Sequence, residues 1–356
     1  MTTVEQFLSS LVDKNRTPGL QYYYFNQEKI LYSYFGGLAN IKKQVKVTPE
    51  TTFNAYSVTK TFTALSILQL AEKDLIGLDK PVVEYLPDFP YPSNVTTRHL
   101  LTHTAGIPNP LPLSWVHSEE EHDTFDYKEY FKILFQKYNK IKSQPNQKFS
   151  YSNLGYVLLG IIIEKVSGQN YTNYITENII GRTGITSDQL NFTIPDAGLH
   201  AKGYQKKISF TNLILGILLD KSKFVDKSEG RWLSVKNLLV NGTPYGGLIG
   251  TGSGFVSYLQ ELLKPDNRLL SDEYRKQFFT ENVTVNNKAT GMCLSWFKGE
   301  LEGCTYLAHA GGGFYYCEIR LYPDLGTGSV ILFNRSGMTD ERFLDKVDKY
   351  LINKEL

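Results

Sequence analysis

The chain has little cysteine, no long apolar run and no excess of charge of either sign. Its three cysteines, Cys293, Cys304 and Cys317, all lie late and are spaced too widely for a metal knuckle. An odd count makes no disulfide framework, and the apolar neighbours of all three read as buried free thiols. The apolar run at residues 213–219 is far shorter than the roughly 20 residues that span a bilayer, so no transmembrane segment is expected. The balance of 38 Lys and Arg against 36 Asp and Glu leaves a formal charge of +2, which provides no electrostatic footprint for nucleic acid. The opening Met1-Thr2-Thr3-Val4-Glu5 lacks the basic flank and apolar core of a secretory leader. As it stands this implies a cytoplasmic protein, or a periplasmic or secreted one if a leader has been removed. No internal repeat stands out. Composition does not settle the oligomeric state.

What is there is apolar material, 41% of the residues, enough for one large domain or two lobes. Helical spacing of Val4, Phe7, Leu8 and Leu11 predicts a helix over 3–13. Two β-rich stretches, 21–25 and 30–35, flank the polar turn Asn26-Gln27-Glu28-Lys29 and read as a hairpin. The middle of the chain reads as mostly helical. Helices are expected from about Thr97, over 154–166 with a stop at Gly168, and over 171–180 with a stop at Gly181. Strands return at 306–309, 315–322 and 329–333, followed by a helix over about 339–352. The economical packing is an α+β fold, with one antiparallel sheet built from both chain ends and covered by the terminal helices. Residues 1–75 and 240–356 would form the sheet lobe, and 76–239 an inserted, mainly helical lobe.

Ser57-Val58-Thr59-Lys60 stands where an aromatic, β-branched stretch gives way to an amphipathic helical pattern expected to run to about Lys73. Positions i and i+3 share a helix face, so the Ser57 hydroxyl and the Lys60 amine point to one spot on the first turn. Serine is a weak nucleophile that needs a nearby base, and a helix N-terminus favours a developing anion. Tyr151-Ser152-Asn153 precedes another helix. The Tyr151 phenol, with a reference pKa of about 10, is favoured as phenolate beside an ammonium and can exchange protons with a serine. Asn153 offers a donor and an acceptor for substrate or for Lys60. His309-Ala310-Gly311-Gly312-Gly313 ends a predicted strand, where glycines let a backbone approach closely. An N–H there, with that of Ser57, suits an oxyanion. Taken singly, each motif also fits a structural role: an N-cap serine, an aromatic anchor, a glycine bulge with a packed histidine.

Together and in this order, the three motifs resemble the serine β-lactamase and penicillin-binding-protein superfamily, whose signature includes S-x-x-K. The resemblance is to its class C branch, with D-alanyl-D-alanine carboxypeptidases and related esterases. It extends to the flanks Arg98-His99-Leu100-Leu101-Thr102-His103-Thr104-Ala105-Gly106, Phe149 onward through Gly168, and Gly246-Gly247-Leu248. It implies that Ser57 is acylated, that Lys60 holds or deprotonates it with an amine pKa lowered by burial and like charge, and that Tyr151 is the partner base and acid. It further implies that Asn153, His309 and Gly311 bind substrate, that Gly312 gives the second oxyanion N–H, and that no cofactor or metal is needed. The substrate would be a small molecule or peptide: an ester, an amide or a D-amino-acid peptide. Rival readings are a β-lactamase or D,D-carboxypeptidase proper, and a slowly deacylating or non-catalytic sensor.

Two departures qualify the resemblance. The third motif is usually Lys-Thr-Gly and here is His309-Ala310-Gly311, which weakens capture of a substrate carboxylate. An acidic residue often follows Gly-Leu, and here Gly250-Thr251-Gly252-Ser253-Gly254-Phe255 has none, so Ser253 is expected to cap the next helix. Three features are set aside. His99 and His103 lack the glutamate of a zinc helix, with His99 read as exposed and His103 as fixing a turn. The stretch around His117 and His122 reads as a solvated acidic loop. Residues 210–219 read as ordinary helix packing or, less simply, as a wall of the substrate pocket.

Overall fold

The computed structural model describes residues 3–110, 115–208, 224–336 and 342–352. The stretch 210–219 lies outside the described residues. An antiparallel seven-stranded sheet is built from both ends of the chain. Its order is Phe297–Leu301, Cys304–Gly312, Tyr316–Tyr322, Thr327–Phe333, Gly19–Asn26, Ile30–Asn40, Val45–Lys46. The hairpin at Asn26 forms because its side chain accepts the amides of Glu28 at 3.0 Å and Lys29 at 2.9 Å.

Strand alternation sorts residues between two apolar layers. Leu20, Tyr22 and Tyr24 pack with Val4, Leu8 and Leu11 of the helix Val4–Asp13 and with Leu344 and Val347 near the C-terminus. Tyr23 and Phe25 face the opposite way into the large core. That core also takes the helices Thr59–Glu72 and Asn153–Ser167, which pack against each other. The first of these is not amphipathic, because every residue from Thr59 to Ala71 is buried. Its hydroxyls are satisfied within the fold: Thr61 donates to the Val58 carbonyl at 2.9 Å, Thr63 to that of Pro244 at 2.6 Å and Ser66 to that of Phe62 at 3.0 Å.

Elsewhere the structure departs from the sequence reading. The middle of the chain also carries strands: Val116–Ser118 pairs with Leu238–Val240, and Tyr204–Lys206, Trp232–Val235 and Val225–Glu229 form a second small sheet. Gly181 continues its helix at φ −63°, and the left-handed stop falls at Gly184, φ 73°. Thr251, in extended backbone, caps the helix Gly252–Leu263 through the Gly254 amide, and Ser253 lies inside that helix. Cys293 and Cys317 are buried free thiols, but Cys304 is half-exposed near the turn into Cys304–Gly312. Among the described residues, the terminal helix is only Asp345–Asp348. Side-chain anchors hold it: Asp345 binds Arg320 at 2.6 Å, and Asp348 accepts from Tyr22, Tyr322 and Ser329. No helix among the described residues is long and apolar enough to cross a membrane.

Candidate active site

The chain reaches Ser57 through a strained step. Tyr56 has φ 46°, unusual for a bulky residue. It opens a 3-10 turn, Tyr56–Val58, that runs straight into the helix Thr59–Glu72. Ser57 therefore stands just before the helix rather than on its first turn. The i, i+3 pairing survives because such positions eclipse in a 3-10 turn. Lys60 Nζ lies 3.0 Å from Ser57 Oγ and 2.8 Å from the Tyr245 carbonyl oxygen. Tyr151 donates its hydroxyl to the same Oγ at 2.9 Å.

Lys60 is fully buried, and burial alone holds its amine well below the ordinary lysine range. The like charge expected to help is not among the causes. Tyr151, Tyr156 and Tyr245 surround Nζ with ring centroids at 5.0, 5.5 and 5.3 Å. These rings offer the ammonium some compensation through their π-faces. His103 fixes the turn that presents Tyr151: its Nδ1 accepts the Ser152 amide at 3.1 Å, and its ring lies 4.2 Å from the Tyr151 ring. His99 is half-buried rather than exposed, with Nδ1 accepting the Thr96 amide at 3.1 Å. Glu119 to Asp123 are exposed, as read for a solvated acidic loop, and within it His122 stacks on the buried His117 and is joined to it at 2.9 Å.

The strand Cys304–Gly312 runs past the serine turn. A Cβ on Gly311 would lie 2.1 Å from the Ala55 carbonyl oxygen and 2.7 Å from the Ser57 nitrogen, so only glycine fits. Gly312 has open space at the same test and lines the cleft. His309 is fully buried and donates from Nδ1 to the Ser295 carbonyl at 2.5 Å. That bond leaves Nε2 as the lone-pair nitrogen of a neutral ring. Burial, and then the charge of Lys60, pushes His309 down to about 3. Nε2 has no partner, and neither has Oδ1 of the buried Asn153, whose backbone N–H donates to Asn109 Oδ1 at 3.0 Å. Lys60 thus makes its bonds to Ser57 and Tyr245, and no bond to Asn153 is seen.

Ser57, Tyr151, Asn153, His309 and Gly312 line one cleft of roughly 570 Å³. Lys60 lies beneath its floor. Sequence reasoning missed its other walls: Phe149, Phe297, Tyr306, Tyr315 and Arg342. None of these sits in a motif. Phe149 alone lay in a segment already singled out. Among the described residues no group of three or more His, Cys, Asp or Glu could hold a metal ion.

The pattern that defines the Beta-lactamase family matches residues 4–353. The chain belongs to the beta-lactamase family. Members of this family are serine hydrolases of the β-lactamase and penicillin-binding-protein type. The chain is 31% identical over 205 residues to penicillin-binding protein 4* of Bacillus subtilis (strain 168). That match covers 56% of this chain and 45% of the relative, so the chain spans about half the relative's length. The fold is similar to the octameric penicillin-binding protein homologue from Pyrococcus abyssi, at TM-score 0.79 and 25% identity, covering 99% of this chain and 77% of that one. It is also similar to the D-amino acid amidase from Ochrobactrum anthropi SV3, at TM-score 0.78 and 19% identity, covering 99% of each. The last likeness is one of family fold. The α+β architecture with its antiparallel sheet is that of the family.

Proposed function

We propose that this protein is a serine hydrolase that forms an acyl-enzyme on Ser57. The observation that carries the reading is the meeting of Lys60 Nζ and Tyr151 Oη at Ser57 Oγ, at 3.0 and 2.9 Å. Two donors on one hydroxyl leave its own proton to be taken by whichever partner can turn acceptor. Burial favours the neutral Lys60 amine, which has a lone pair, so Lys60 is the base of acylation. Oγ then attacks the substrate carbonyl. The oxyanion receives the N–H groups of Ser57 and Gly312, and Tyr151 protonates the leaving group. Water attacks the acyl carbonyl in a second step, with the same groups moving protons in reverse.

The cleft supports a substrate that brings hydrogen-bond donors. Its unpartnered side-chain atoms include two acceptors, His309 Nε2 and Asn153 Oδ1, beside the Tyr306 hydroxyl, which can donate or accept. A neutral His309 and an Ala310 without a hydroxyl provide poor capture of a carboxylate. The two acceptors favour amino-acid esters, amides and short D-amino-acid peptides, which bring an ammonium or amide donor to them, and a substrate carboxylate would fall to Arg342 or Tyr306 on the wall rather than to the third motif. The name of the D-amino acid amidase with this fold points the same way.

The test is intact-protein mass spectrometry after exposure to a fluorophosphonate, small esters, D-amino-acid amides and β-lactams. An adduct on Ser57, absent in Ser57→Ala, is expected, with steady turnover of an ester or amide. Labelling of another residue, or of none, would remove the assignment.

A further inference from the structure

Gly312, the proposed second oxyanion donor, is bracketed by contacts to Ala55, Tyr56 and Ser57. On one side Gly311 packs on the Ala55 carbonyl and the Ser57 nitrogen. On the other side stands the Tyr56 phenol. The strands Cys304–Gly312 and Tyr316–Tyr322 pair as far as Gly312 and Tyr316, so residues 313–315 are the loop of a hairpin. The Phe314 amide in this loop donates to Tyr56 Oη at 3.2 Å. A Cβ on Gly313 would lie 2.6 Å from Tyr56 Cζ and 3.0 Å from Oη, so the phenol end of the ring abuts the Gly313 backbone.

The ring is itself braced. Tyr315 packs against it with ring centroids 6.2 Å apart, and the Tyr315 hydroxyl donates to the Ala201 carbonyl at 2.8 Å. Three consecutive glycines leave the end of the strand with wide backbone freedom. A bond from a braced aromatic side chain removes that freedom two residues beyond Gly312. The same phenol ties down the residue held at φ 46°, and such strain persists only where the surroundings over-determine it. Tyr56 is not among the residues lining the cleft. Burial holds its phenol well above the ordinary tyrosine range, so it stays protonated and takes no part in the proton transfers of Lys60 and Tyr151. What remains for it is to hold a distance.

We propose that Tyr56 is a positioning residue of the hydrolase: its phenol oxygen, by holding the Phe314 amide, sets the gap between the Ser57 and Gly312 N–H groups that receive the oxyanion. The inference rests on the acyl-enzyme reading of Ser57 and adds a residue just outside the Ser57–Lys60 motif. Acylation and deacylation both pass through an oxyanion, so a loosened gap slows both steps and leaves substrate affinity alone.

The test compares Tyr56→Phe, which keeps the ring and removes the accepting oxygen, with wild type and with Tyr85→Phe. Tyr85 is a matched control: its hydroxyl also accepts a backbone amide, that of Gly77 at 2.7 Å, and it does not line the cleft. Two readouts are taken on the full chain beside the melting temperature. One is hydrolysis of p-nitrophenyl acetate. The other is inhibition by phenylboronic acid, whose tetrahedral adduct on a serine places an oxygen where the oxyanion forms. Tyr56→Phe is expected to lose about tenfold in kcat at unchanged KM, less than the roughly 10²–10³ of losing a donor outright, and to bind phenylboronic acid about tenfold more weakly. Tyr85→Phe should match wild type in both readouts, whatever its melting temperature. Gly313→Ala drives a methyl into the Tyr56 ring from the loop side; it should show the same losses, and it carries the test if Tyr56→Phe does not fold. Wild-type kcat and boronate affinity in the folded variant overturn the proposal, as does an equal loss in Tyr85→Phe. Ser57→Ala separates this role from the reading beneath it. Ester turnover that survives Ser57→Ala overturns both, whereas turnover lost in Ser57→Ala and intact in Tyr56→Phe overturns the role of Tyr56 alone.

Discussion

Gly311 lies directly against Ser57: a Cβ added to it would sit 2.7 Å from the Ser57 nitrogen and 2.1 Å from the Ala55 carbonyl oxygen. Both are backbone atoms, so no side chain can swing away to make room. The strand carrying Gly312 would have to move off the serine turn. Gly311→Ala should therefore separate the two proposed oxyanion donors. Acylation is expected to fall about 10²–10³-fold, the cost of losing one such donor. Stability should fall by about 1–3 kcal/mol, the usual penalty of overpacking. Ester turnover and urea unfolding read the two effects, and a fully active Gly311→Ala would contradict the proposed geometry.

Lys60 is predicted to work as a neutral amine. Its folded pKa lies well below the ordinary value of 10.5. The rate of acylation should rise with pH through that lowered pKa and level off well before 10.5. Lys60→Arg keeps a cation that cannot deprotonate, and Lys60→Met removes the base, so each should lose about 10²–10⁴ in acylation rate. Stability follows the same titration. The unfolded chain binds a proton that the folded chain gives up, so wild type gains stability relative to Lys60→Met as pH rises from the lowered pKa toward 10.5. Denaturation of both proteins across this pH range measures the difference. A constant difference would mean that Lys60 is not shifted.

Arg320 is fully buried in the sheet and binds Glu318 at 2.7 Å and Asp345 at 2.6 Å, with the Tyr306 ring centroid 3.8 Å from its guanidinium carbon. Burial raises Glu318 to about 7 even against the pull of this arginine. Arg320→Met leaves two buried carboxylates, Glu318 and Asp348, without their cation and should cost about 3–5 kcal/mol. A folded pKa above the unfolded one means that stability is lost as pH rises through the folded value. The deficit of Arg320→Met should then be greater at pH 8 than at pH 5. Chemical denaturation at the two pH values measures it, and an equal deficit would show that Glu318 does not carry the effect.

The parts of this site that were legible in the sequence are those set by local geometry. Ser57 and Lys60 meet because they are three residues apart, and that holds in a 3-10 turn as in a helix. The hairpin at Asn26 and the glycine stop at Gly168 are likewise short-range. The Tyr245 carbonyl that holds Lys60 left no mark, because any residue can supply a carbonyl. Tyr306, Phe297 and Arg342 wall the cleft from strands and turns whose burial depends on neighbours far along the chain. Thr251 rather than Ser253 caps its helix because the cap goes to the hydroxyl in extended backbone, and composition alone does not separate two hydroxyls two residues apart.

His309 is predicted to bear on both substrate choice and acid sensitivity. Its ring is neutral, with Nδ1–H on the Ser295 carbonyl and an unpartnered Nε2 at the cleft. With a folded pKa of about 3 it should contribute no inflection to kcat/KM between about pH 5 and 8, against a reference value near 6.5. Buried His200, also pushed down to about 3, behaves alike. In both cases the unfolded chain takes up protons that the folded chain refuses, so stability falls as pH drops from about 6.5 toward 3. Urea midpoints should therefore be lower at pH 5 than at pH 7, with a smaller drop in His309→Gln. Substrate choice is predicted to depend on the same atom. An ester with a free α-ammonium can donate to Nε2, whereas its des-amino analogue leaves a buried acceptor unpaired at a cost of about 1–3 kcal/mol. The amino ester should be preferred by about tenfold or more in kcat/KM, and His309→Gln, which retains an acceptor oxygen, should keep part of that preference. A des-amino ester turned over as fast as the amino ester would show that His309 does not read the substrate.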